Sequence, residues 1–146
     1  MISLIFTAIE IFELFLSATD IASDEIERII NDSTNLFNNL VEFILVDNSA
    51  YRGIFGVFLG LYKNLRNIKK LTFQTLDRNI NIILEECLNV MHKLEEICLT
   101  STAPRAEERF RIIKKFVPKL KKITISVAFV DEAKEIFGSD VEIIGI

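Results

Sequence analysis

A chain of 146 residues with 50% hydrophobic residues, 5 Gly, 2 Pro and a net charge of −4 has room for one domain with a substantial core. An ordinary charged share of 26% excludes a disordered chain, and the scarcity of Gly and Pro disfavours a turn-rich all-β fold. The mean hydropathy of +0.34 calls for a large buried fraction, an apolar oligomer interface or membrane contact.

The N-terminal stretch MISLIFTAIEIFELFLSATD lacks the basic leader of a secretory signal. Glu10 and Glu13 interrupt it before any run reaches the roughly 18–20 residues of a membrane helix. Ser3, Thr7, Glu10, Glu13, Ser17 and Asp20 step by three or four, so the spacing predicts a helix with one polar stripe. The stripe is acidic, which disfavours membrane docking and favours a central helix or one packed on a second copy.

A second helix is expected from Ser23, a candidate N-cap followed by Asp24 and Glu25, through Ile44, with Asp47–Ser49 as its break. In the next segment Gly53, Gly56 and Gly60 fall on one helical face, where they would admit the close approach of another helix. A fourth helix is expected over Thr72–Leu99. Continuous helix there would hold Cys87 and Cys98 roughly 16 Å apart, excluding a bridge between them and leaving two reduced thiols.

Pro104 suits the first turn of a fifth helix, with Thr102 or Ala103 as cap, Glu107 and Glu108 in the early turns, and Pro118 ending it near Phe116. Residues 123–146 stay open between continuing helix and a short strand–helix–strand tail, in which Gly138 stops the helix. Strands in such a tail would offer edges for pairing with a second chain. The sequence reads without an internal repeat.

The expected fold is therefore mainly α, a four- to five-helix bundle over 1–122 with the segment 123–146 packed on the same domain.

Chemistry-bearing constellations are few. His92 is the sole histidine, and Glu85, His92 and Glu96 would share a helix face without supplying the Glu-x-x-His units of a di-iron bundle or the ligand set of a zinc site. Cys87 and His92 would point apart on one helix. Phosphate-loop, dinucleotide-binding and nucleophile-elbow motifs do not occur. No catalytic residue, cofactor or metal is expected, and the enzyme reading has no anchor.

Charge is segregated. Residues 1–48 hold nine acidic and one basic residue, 49–122 fifteen basic and seven acidic, and 123–146 five acidic and one basic. Within the basic block, Arg105, Arg109, Arg111, Lys114, Lys115, Lys119, Lys121 and Lys122 interleave with apolar positions and form a candidate surface for an anionic partner. Lys63, Arg66, Lys69 and Lys70 could extend it. The acidic total and the absence of interleaved aromatics disfavour a general nucleic-acid binder.

The expected function is a non-catalytic, cytoplasmic interaction or regulatory protein that self-associates as a homo-oligomer and offers a basic helix. A nucleic-acid-associated factor using that helix is one alternative. A binder of a small apolar ligand or lipid between helices is the other.

Overall fold

The computed structural model describes residues 11–16 (backbone only), 40–47, 65–75, 79–101 and 103–146. Six strands form one sheet: β1 (Ile11–Leu16), β2 (Glu42–Asp47), β3 (Lys70–Gln74), β4 (Glu96–Thr100), β5 (Lys122–Ile125) and β6 (Glu142–Gly145). Their spatial order is β1-β2-β3-β4-β5-β6 and every neighbouring pair is parallel.

Helix α1 (Ile80–Leu88) follows β3, α2 (Ala106–Phe116) follows β4, and a 3-10 turn (Val127–Phe129) leads into α3 (Val130–Phe137) after β5. A right-handed crossover between adjacent parallel strands places its helix on a fixed side of the sheet. The three helices among the described residues accordingly share one face, α1 packing on α2 and α2 on α3.

The helical bundle expected from the sequence is overturned by this parallel sheet. The acidic-striped N-terminal helix gives way over 11–16 to β1, and the second helix over 42–47 to β2. The long helix over Thr72–Leu99 is instead strand, nine-residue helix and strand. A parallel strand buried on one face reads Leu-x-Phe or Ile-x-Leu, and the turns flanking it carry further apolar residues at three-residue spacing. Together they mimic a helical stripe.

Other readings stand. Helix α2 ends at Phe116, two residues before Pro118, and α3 ends at Gly138, whose φ of 67° is one that only glycine adopts without strain. Residues 123–146 do run strand–helix–strand, but β5 and β6 belong to the main sheet rather than to a tail. Cys87 lies in α1 and Cys98 in β4, both as free thiols. Gly53, Gly56 and Gly60 lie outside the described residues.

The structure also reveals a repeat. Leu65, Ile68, Leu71 and Phe73 recur 26 positions later as Met91, Leu94, Ile97 and Leu99, and 26 later again as Val117, Leu120, Ile123 and Ile125; all twelve are buried. Helix positions follow the same period, Ile80, Leu84 and Cys87 corresponding to Ala106, Phe110 and Ile113. Each unit is one strand and one helix that buries its apolar face only against its neighbours, as in a β/α solenoid. Two inward rows cross the sheet from β2 to β5: Phe43, Leu71, Ile97, Ile123, and Leu45, Phe73, Leu99, Ile125.

Candidate functional site

Strand side chains alternate between faces, so the residues between the buried ones project from the side of the sheet opposite the helices. Three register rows result. The first reads Glu42, Lys70, Glu96, Lys122 and Glu142 across β2 to β6, an alternation of acid and base one strand apart. The second reads Ile44, Thr72, Cys98, Thr124 and Ile144, and the third Val46, Gln74 and Thr100. All of these side chains are half-buried or exposed. The central row is short and polar in its middle three positions and branched-apolar at both ends.

The residues just before the strands make a parallel ladder: Glu95 N–H donates to the Lys69 carbonyl and Lys121 N–H to the Glu95 carbonyl, at 2.9 and 2.8 Å. Lys121 Nζ lies 2.9 Å from Glu95 Oε2, and Lys70 Nζ lies 3.5 Å from Glu96 Oε2. The hydrogen bond from Lys121, aided by its charge, holds the Glu95 carboxyl below the usual carboxylate range. Glu95 and Glu96, adjacent in sequence, thus turn to different lysines on opposite neighbouring strands.

The eight basic residues of 105–122 are divided among distinct surroundings. Arg105 and Arg111 pair with Glu108 (3.7 Å) and Glu107 (2.7 Å) on the same helix. Arg109 is 1% exposed; its Nε donates to Asn81 Oδ1 (3.1 Å) and its Nη2 to the carbonyls of Ala103 (2.8 Å) and Pro104 (3.1 Å). It stands where the preceding unit has buried Ile83, and burial lowers its affinity for the proton. Lys114 Nζ donates to the Ile136 carbonyl near the end of α3, and Lys115 Nζ sits 4.8 Å from the centre of the Phe116 ring. Lys119 is exposed in the turn before β5. Lys121 belongs to the ladder just before the strands and Lys122 to the open face described above.

A cleft of about 660 Å³ between α2 and α3 is lined by Glu107, Arg111, Lys114, Lys115, Glu132, Glu135 and Ile136. Charges of both signs make it a poor seat for an apolar ligand. His92 is exposed in the turn between α1 and β4, away from the helix that carries Glu85, and Glu96 faces the open sheet. Burial raises the Cys87 thiol well above its ordinary range and the Cys98 thiol less deeply buried moves the same way, so neither is primed as a nucleophile. Among the described residues no group of three His, Cys, Asp or Glu side chains is arranged to hold a metal ion, and no helix is long and apolar enough to cross a membrane.

The open face escaped sequence reasoning because its members lie in five separate strands. Its one legible signal was the doublet alternation Lys69-Lys70, Glu95-Glu96, Lys121-Lys122 at 26-residue intervals. No known protein family's profile matches the chain, and no curated protein is significantly similar to it in sequence.

Proposed function

We propose that this chain is a non-catalytic interaction protein, built as a short β/α solenoid, that self-associates and recognises protein partners on the open face of its parallel sheet. The spacing Leu-x-x-Leu-x-Leu, present as Leu40/Phe43/Leu45, Ile68/Leu71/Phe73, Leu94/Ile97/Leu99 and Leu120/Ile123/Ile125, has the form of a leucine-rich repeat strand. Solenoids of that kind use extended sheet surfaces for binding.

The observation that carries the reading is the one-sided cover of the sheet. Helices bury the inner rows, and the outer rows remain accessible with mixed charge and short side chains. That surface suits recognition of a polypeptide more than of a polyanion, because each basic row member has an acidic neighbour one strand away. The basic helix is a weaker candidate for the same reason, with Arg105 and Arg111 paired and Arg109 buried.

Size-exclusion chromatography with light scattering, at low and high salt, with and without a short DNA duplex and an RNA oligomer, tests the reading. The expected result is an oligomer insensitive to salt and unshifted by either nucleic acid. Salt-sensitive co-elution with nucleic acid would replace it with a basic-helix reading.

A further inference from the structure

We infer that three stacked turns at the N-terminal ends of β3, β4 and β5 form a docking surface for an acidic segment of a protein partner. This surface is distinct from the open face of the sheet and does not depend on self-association. The three turns are copies of one another. Ile68 N–H donates to the Leu65 carbonyl, Leu94 N–H to that of Met91 and Leu120 N–H to that of Val117, at 3.4, 3.1 and 3.2 Å. In each turn these first and fourth residues are buried, so the two between them form the rim: Arg66 and Asn67, His92 and Lys93, Pro118 and Lys119. Parallel register sets successive turns one strand apart, about 4.8 Å. Lys93 Nζ accordingly reaches back to Asn67 Oδ1 in the preceding turn, at 2.7 Å.

The charge gathered at these turns is of one sign. Lys69, Lys93, Lys119 and Lys121 are all exposed there, and the acid among them, Glu95, is half-buried and held by Lys121 at 2.9 Å. Lys69 and Lys119 act on the same carboxyl from the two flanking units, which places them around it. Neither makes an ion pair among the described residues. Asp140, just before β6, borders the cluster on that side. The other ends of the same three strands, Gln74-Thr75, Thr100-Ser101 and Ile125-Ser126, carry no charge.

Charge complementarity selects a carboxylate-rich polypeptide as the occupant. Glu95 shows what the spacing accepts: one carboxylate seated among lysines of both neighbouring units. The three turns span about 10 Å, the reach of roughly three residues of extended chain. A nucleic acid fits less well. Its continuous row of phosphates would meet Glu95 and Asp140, and the rim offers no aromatic ring for a base to stack on. A membrane surface fits less well too, because the apolar residues of all three turns are buried and none is left to insert.

Fluorescence anisotropy of a labelled octaglutamate peptide titrated with the full chain tests this assignment. Saturable binding is expected, weakening as NaCl rises from about 20 to about 200 mM. The double variant Lys93→Gln/Lys119→Gln is expected to raise Kd about tenfold or more, with an unchanged circular dichroism spectrum. Arg105→Gln/Arg111→Gln, which removes the same charge from exposed positions on α2, is expected to change it less than about twofold. Equal losses in the two double variants would trace the binding to net charge and overturn the turns as the site. Absence of binding by the wild-type chain overturns the surface altogether. Tighter binding of a single-stranded DNA octamer, or of vesicles containing anionic lipid, than of the peptide overturns the acidic polypeptide as its occupant.

Discussion

Arg109 shows how much one side chain can be asked to do in this framework. It occupies an interior helix position and donates to three oxygens from two segments, Asn81 on α1 and the Ala103 and Pro104 carbonyls before α2. Arg109→Met keeps the volume but strands those acceptors. A loss of about 2–4 kcal/mol is expected from the unmade bonds, read as a lower urea midpoint at unchanged slope. Arg109→Lys is expected to recover little, since an ammonium cannot span the same fork. A cost below about 0.5 kcal/mol for Arg109→Met would show that the bonds are not stabilising.

Glu95 gives a residue-scale prediction with a definite sign. Its folded carboxyl is held below the usual range by Lys121, so its contribution is present at neutral pH and above. That contribution fades as pH falls through the folded-state value, where the carboxylate takes up its proton. Thermal midpoints of wild type and Glu95→Gln are expected to converge on acidification and to separate toward neutrality. The effect is small, because Lys121 is largely exposed and Glu95 is only half-buried. Divergence at low pH would reverse the assignment.

At the scale of elements, helix α2 combines favourable and unfavourable features. Glu107 and Glu108 face its N-terminal dipole and Lys114 and Lys115 its C-terminal one. The residue that starts it, Arg105, has φ of 64° and ψ of 46°, a left-handed conformation costly to any side chain with a Cβ. Arg105→Gly is expected to stabilise the protein by about 0.5–1 kcal/mol despite losing the exposed pair with Glu108. A destabilised variant would mean that the guanidinium contributes more than its surface geometry implies. Gly145 is the opposite case. Its Cβ would meet Val130 Cγ2 at 2.9 Å, so the row that holds Leu45, Phe73, Leu99 and Ile125 must shrink to nothing where the 3-10 turn and α3 approach.

At the scale of the whole molecule, stability in a solenoid is a sum of units and their nearest-neighbour interfaces. The inner rows of β3, β4 and β5 are fully buried between neighbouring strands, whereas Ile143 in β6 is only half-buried. Native-state hydrogen exchange is expected to show the slowest amides in β3 and β4 and the fastest ladder amides in β6. Uniform protection across all strands would contradict that gradient of burial.

Local chemistry in the sequence was enough to end α2 before Pro118 and to stop α3 at Gly138, while after residue 122 it left strand–helix–strand and continuing helix as alternatives between which the sheet decided. Those features depend on a missing N–H, a missing Cβ and β-branched alternation, each read within a few residues. The choice between bundle and sheet was not local. Leu65, Ile68 and Leu71 step by three as a helix face would, and only the pairing of β3 with β4, Leu71 against Ile97, makes this stretch turn and strand. The 26-residue period was present from Leu65 to Ile125, but its evidence lies in the comparison of distant segments, not in any window. The open face likewise exists only after parallel register brings Lys70, Glu96 and Lys122 side by side. The sequence by itself determined which residues are apolar and where the chain must break. Tertiary structure decided which backbone groups pair, because a parallel ladder takes its hydrogen bonds from strands about twenty to thirty residues apart.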